Sequence, residues 1–277
     1  MKKSMIGYQV YSARDDAAKD MLGTLKSLKA MGYDGVEFAG FYGMDPKTVK
    51  EYLDEAGLVA ISHHVPFAAM REDIFKVIYE NKTIGCKYIA IPFLDDATRP
   101  GSAGFAETLK DIYRFGRLIK EAGMQLLYHN HDFEFCKVSD QYGLDFMYDA
   151  VPECILQTEL DCCWVKYAGE DPASYVRKYA GRCDLVHLKD YVGRKEAGKN
   201  PYALIGVDED TAKADEGVAF EFRPVGYGCQ DIPSIIKAGQ ESGAEWFIVE
   251  QDMSIGRTPL EAAKMSVEYV RGVLAKM

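Results

Sequence analysis

Glu134, Asp161, His187 and Glu250 each stand at, or just beyond, the end of a short apolar run rich in β-branched and aromatic residues. Three carboxylates and one imidazole are hard or borderline donors, suited to Mn²⁺, Mg²⁺, Co²⁺ or Zn²⁺ with positions left open for substrate oxygens. Brought together, the three acids would need a cation, because carboxylates crowded in a low-dielectric site repel until one keeps its proton. Glu37, His63, His64, His129, His131, Glu159, Lys189, Asp190 and Asp252 hold similar positions at run ends. Singly, each has an ordinary structural role open to it: a histidine satisfied in a wall, or an aspartate capping a helix. Gathered on one rim they make a site.

The elements that would gather them are repeated strand–helix units. Eight apolar runs recur: Met5 to Val10, Gly35 to Ala39, Val59 to Val65, Tyr88 to Phe93, Gln125 to His131, Leu156 to Asp161, Leu185 to Asp190 and Trp246 to Gln251. Segments of helical period follow them, as in a parallel sheet. Thr24 to Met31 puts Leu25, Leu28 and Met31 on one face and stops at Gly32; glycines 57, 85, 123 and 243 give the same stop before later runs. The spacing predicts one α/β domain over 1–277, a closed (β/α)8 TIM barrel whose C-terminal strand ends carry the chemistry. The long polar segment from Tyr191 to Gln230 follows the seventh strand and is expected to cover the mouth as a loop. An open, doubly wound sheet fits less well, since the first turn lacks G-x-G-x-x-G.

Composition narrows the partners. The chain has 277 residues, 48% of them hydrophobic and 12% aromatic, which is not the make-up of a disordered polypeptide. Its formal charge of −10 opposes nucleic-acid binding, which relies on clustered Lys and Arg. No signal peptide and no 18-residue apolar stretch is read, so no membrane partner is expected and the location expected is cytoplasmic. Seven cysteines without a C-x-x-C pair suggest reduced thiols, with Cys162 and Cys163 packing in a wall. The partner is therefore a small molecule; a homo-oligomer is compatible with the sequence.

The stretches Gly35-Val36-Glu37-Phe38, Tyr128-His129-Asn130-His131-Asp132-Phe133-Glu134-Phe135, Leu160-Asp161-Cys162-Cys163-Trp164-Val165, Val186-His187-Leu188-Lys189-Asp190 and Ile248-Val249-Glu250-Gln251-Asp252 follow one another along nearly the whole chain. In this order they resemble the sugar phosphate isomerase/epimerase family of xylose-isomerase-like TIM barrels. The resemblance implies one divalent metal ion held by an acidic residue of strand five, the Asp of strand six (Asp161), the His of strand seven (His187) and the Glu of strand eight (Glu250). In the resembling epimerases the strand-five ligand is a Glu inside the strand, and the like position here is His129. Either Glu134 reaches back or His129 itself binds. A second departure is Gly226-Tyr227-Gly228, where relatives carry G-E-G.

The expected activity is a metal-dependent isomerase or epimerase of a sugar or keto-sugar, working through an enediolate in carbohydrate metabolism, with manganese among the candidate ions. His129, His131 and Glu250 are the candidate acid/base groups. Glu37 and His64, placed across the mouth from the metal, are candidates for hydroxyl recognition. Lys189 would neutralise an enediolate or pair Glu159 or Asp190, and Trp164 would wall a sugar ring. The alternative keeps the site and changes the outcome: a dehydratase or lyase on a keto-cyclitol or keto-sugar glycoside, where the same enolate expels a β-leaving group. A distant alternative is a DNA-repair nuclease of the endonuclease IV type. It calls for a three-metal cluster and a basic face, against which stand five His and the acidic charge.

Overall fold

The computed structural model describes residues 4–193 and 220–277. Short β-branched runs become staves: β1 (Met5–Gln9), β2 (Gly35–Phe38), β3 (Val59–His64), β4 (Tyr88–Ile91), β5 (Gln125–His129), β6 (Leu156–Asp161), β7 (Leu185–Leu188) and β8 (Trp246–Val249). They close in order, each parallel to its neighbours, with β8 paired back to β1. The expected barrel is present, with shorter strands. Pairing ends at Ile91, His129, Leu188 and Val249, so His131, Lys189, Glu250 and Asp252 sit on loop residues directly above the wall.

Side chains alternate along each strand, so every second residue enters the barrel. A lower layer of Ile61, Tyr88, Ala90, Leu127, Leu185, Trp246 and Ile248 fills the interior. Two residues further on from Leu127, Leu185 and Ile248 stand His129, His187 and Glu250. The apolar layer is thus the floor on which the polar site rests.

Helices cover the outside with one apolar face each. In Phe105–Glu121 the buried residues Phe105, Thr108, Ile112, Phe115 and Ile119 recur at helical spacing. The first long helix starts at Met21, three residues before the expected Thr24, because Asp20 caps it by accepting the Gly23 N–H at 2.9 Å. Gly32 ends that helix at φ 106°, as its C′ position requires. Where the segment from Tyr191 to Gln230 leaves and rejoins the rim, Asp190–Val192 pairs antiparallel with Glu221–Arg223. Residues 194–219, on which the expectation of a mobile cover falls, lie outside the described residues.

Close packing at one strand crossing gives a stability test. A Cβ on Gly35 would lie 2.7 Å from the Val59 carbonyl oxygen and 2.8 Å from Ile61 Cγ1. Gly35→Ala should therefore spread β2 from β3 and cost about 1–3 kcal/mol, as overpacked cores do. Urea unfolding that shows no loss would mean the strand pair is looser than described.

Candidate active site

Four consecutive strands deliver four donors to one point. His129, Asp161, His187 and Glu250 are all buried, and one ligand atom from each lies within 4.8 Å of the others. His129 Nε2 faces Asp161 Oδ2 at 3.4 Å and Glu250 Oε2 at 3.6 Å, while His187 Nδ1 meets Glu250 Oε2 at 3.0 Å. Asp161 divides its oxygens between two tasks. Oδ1 caps the helix Cys162–Tyr167 by accepting the Trp164 N–H at 3.0 Å, and Oδ2 turns to the cluster.

Behind this group stands a second buried ring. Glu37 accepts from Gln9 Nε2 at 2.7 Å and from the Ser62 hydroxyl, and its Oε1 lies 3.0 Å from His64 Nε2 and 2.9 Å from His187 Nε2. Glu159 Oε2 holds His64 Nε2 at 2.6 Å. The barrel is narrow, so side chains from β2 and β3 meet those of β6 and β7 in its middle. Glu37 and His64 consequently adjoin His187 instead of standing across the mouth from it; the His64 and His187 rings stack at 5.5 Å.

Charge follows from this packing. Burial alone would lower His187, yet Glu37, Glu159 and Glu250 hold it well above the ordinary histidine range. Burial likewise opposes His64, which Glu37 and Glu159 raise to about 10. His129 is raised too, against burial, by Asp161 and Glu250. For Glu250, burial pushes up, but Lys189, His129 and His187 outweigh it and keep the carboxylate well below its usual range.

Lys189 Nζ reaches Asp252 at 2.8 Å, Glu250 at 3.0 Å and Asp161 at 3.5 Å, so its partners are these acids and not Glu159 or Asp190. Asp190 has another duty that its sequence position hid. It accepts the N–H groups of Tyr191, Gly226, Gly228 and Gln230, fastening the return of the long segment to the rim. A Cβ on Gly228 would lie 2.2 Å from Asp190 Oδ1, which accounts for glycine there and makes Gly226-Tyr227-Gly228 a clasp.

The structure does not bring Glu134 to the cluster. The turn Phe133–Phe135 folds it back so that it accepts from the Tyr128 hydroxyl and, at 2.8 Å, from the His131 N–H; burial pushes its carboxyl up to about 7. Glu37 and Trp164 are fully buried and stand outside the cleft lining, Trp164 packing tilted on His131 at 5.2 Å. His64, His129, His131, Lys189 and Glu250 line a cleft of about 640 Å³.

The donor set fits a divalent cation on its own terms. His129 Nδ1 and Nε2 and Asp161 Oδ2 are buried without a hydrogen-bond partner, an arrangement that is costly unless something shares those lone pairs. The group combines two imidazoles with two carboxylates; Glu37 Oε1 stands 2.9 Å from His187 Nε2, while His187 Nδ1 turns to Glu250 Oε2.

The family model for the xylose isomerase-like TIM barrel matches residues 25–272. The chain belongs to this family. Inosose dehydratase of Clostridium beijerinckii is 30% identical over 166 residues, which span 58% of this chain and about half, 51%, of that protein. Inosose dehydratase of Clostridium perfringens is 25% identical over 271 residues, 89% of this chain and 88% of that protein. A sugar phosphate isomerase/epimerase structure from Parabacteroides distasonis superposes with a TM-score of 0.76 at 22% identity, covering 99% and 96% of the two chains. The structure of an L-ribulose 3-epimerase gives 0.69 at 16%, covering 99% and 95%. These two solved structures speak for the fold alone. No helix among the described residues is long and apolar enough to cross a membrane.

If His129, Asp161, His187 and Glu250 form a cation site, protein equilibrated with Mn²⁺ should retain one ion per chain by elemental analysis. His129→Ala, Asp161→Ala and His187→Ala should each lower that stoichiometry, while Glu134→Ala leaves it near one. The neighbouring carboxylates raise His129 and His187 above the ordinary histidine value, so protons compete with a cation for these nitrogens. Uptake should thus tighten as pH rises and weaken as it falls. Full occupancy in the His129 variant would return the strand-five role to Glu134.

Proposed function

We propose that the chain is a divalent-metal-dependent enzyme that removes the proton α to the carbonyl of a keto-cyclitol or keto-sugar and then expels a β-hydroxyl as water. The observation that carries this reading is the convergence of His129, Asp161, His187 and Glu250 from β5 to β8 on one point, where His129 and Glu250 line the cleft and Asp161 and His187 lie buried behind them. An ion held there would draw charge from a substrate carbonyl and its neighbouring hydroxyl, a stabilisation of several kcal/mol for the enolate.

The chain's own groups divide the rest of the work. Glu250, kept ionised beside Lys189, is the base for the α-proton. Lys189 offsets the charge left in the mouth. His64 faces the cleft with its Nε2 held by Glu37 and Glu159, and as an imidazolium it is placed to protonate the departing hydroxyl. His131 stays neutral, because burial among Phe93, Phe133 and Trp164 lowers it well below the usual range, and it serves as a hydrogen-bonding partner for substrate hydroxyls. Glu250 shares its carboxylate between the donor set and this proton transfer, whereas His129 is assigned to the donor set alone.

Dehydration is preferred to isomerisation or epimerisation for two reasons. The relative covered along 88% of its length is named a dehydratase, and strand five offers an imidazole where the resembling epimerases carry a carboxylate. A keto-cyclitol incubated with the Mn²⁺-loaded protein in D₂O should exchange its α-hydrogen and lose water, followed by NMR. Glu250→Gln should slow both by about 100-fold or more, as loss of a positioned base does. A product that keeps all its oxygens would assign isomerisation instead. Absence of exchange with every keto-sugar and keto-cyclitol tried would remove the enolising mechanism.

A further inference from the structure

We propose that the cleft holds a keto-sugar bearing a flat apolar substituent, an aryl aglycone, in preference to a bare ring. This deepens the reading above and rests on it for the sugar end. The cleft bounded by the described residues, about 640 Å³, has the size of sites for drug-sized ligands, roughly 300–1,000 Å³, and exceeds what one sugar ring fills. The polar groups His64, His129, His131, Lys189 and Glu250 gather at one end. The other end is an arm between the loop after β2 and the helix Phe67–Ile84, lined by Phe41, Pro66, Ala69, Val77, Pro92 and Phe93. None of these six side chains can hydrogen-bond a hydroxyl. These faces offer a sugar hydroxyl no hydrogen bond and present apolar area to stack on, so the arm favours an apolar and flat occupant.

The arm is built in advance. His63 Nε2 accepts the Gly40 N–H at 3.1 Å, which fixes the proton on Nδ1, 3.1 Å from Asn81 Oδ1. Asn81 Nδ2 in turn donates to the Val77 carbonyl at 2.8 Å. These three bonds tie the loop to the helix across the arm and set Phe41 with its ring 4.6 Å from that of His63. The loop pays for this shape with Tyr42 at φ 52°, a left-handed conformation unusual outside glycine. The helix itself breaks at Asp73 (φ −153°, ψ 87°), where the Asp73 side chain accepts the Lys76 N–H at 2.9 Å. Three carboxylates, Glu72, Asp73 and Glu80, stand on this rim against the single ammonium of Lys76. Such a rim repels a phosphate and accepts the hydroxyl donors of a phenol.

Calorimetry on the Mn²⁺-loaded protein tests the arm without turnover, using phenyl β-glucoside, which has no carbonyl to react, against glucose. The aryl glycoside should bind at least about tenfold more tightly, in line with the selectivity of a well-fitted apolar pocket. Ala69→Trp, which fills the arm, should erase the difference, and Phe41→Ala, on an accessible loop and independent of any folding defect in the first variant, should reduce it. Equal binding of the two ligands, or a preference untouched by both substitutions, overturns the proposal. The D₂O exchange of a free keto-sugar reads the enolising mechanism separately. Exchange without an aryl preference removes the arm alone, whereas an Ala69-dependent preference without exchange keeps the arm and removes the mechanism.

Discussion

Buried charge in the barrel mouth is the constraint around which the rest is arranged. Glu37, Glu159, Asp161, Glu250 and Asp252 are nearly free of solvent, and so are His64, His129, His187 and Lys189. Desolvating that many ions is unfavourable unless each is paired, and breaking one pair leaves another charge uncompensated. The network answers by sharing. Glu37 serves two histidines, Lys189 serves three acids, and Asp252 keeps a carboxyl that burial pushes up to about 6. Among these groups His129 Nδ1 and Nε2 and Asp161 Oδ2 are left without a hydrogen-bond partner, the place where a cation would complete the network.

Such a mouth is only as firm as the layer below it. The apolar floor of Tyr88, Leu127, Leu185, Trp246 and Ile248 fixes strand heights, and the period of two then lifts His129, His187 and Glu250 to one level. Around the rim, backbone N–H groups do a comparable job. Asp190 gathers four of them, so the segment after β7 leaves and re-enters the barrel at a fixed place.

How much of this was legible in the amino-acid sequence depends on the range of the interaction concerned. Periodicity and helix-ending glycines are local, and they sufficed for eight strands and their order of closure. Donors at the ends of β6, β7 and β8 were equally legible, since a strand's alternation places Asp161 and His187 without reference to anything distant. Helix starts were less so: Asp20 caps from a position that no apolar pattern marks. Glu37 and His64 were misplaced across the mouth because proximity in a barrel interior is set by its radius, which no single strand encodes.

The strand-five position shows where sequence distance misleads. Glu134 has the chemistry of a ligand and stands only five residues beyond His129, so a chain continuing straight would leave both within reach. The turn Phe133–Phe135 reverses that direction, and its geometry is set by Glu134 itself, whose carboxylate bonds the His131 N–H three residues back and the Tyr128 hydroxyl. A carboxylate already satisfied by two donors gains less from a cation than an imidazole with both nitrogens unused. The same turn stacks Phe133 on His131 and sets it beside Phe93, so the bonds that withdraw Glu134 also back two rings that line the cleft. The acid thereby supports the cleft wall through the ring it places and not through charge.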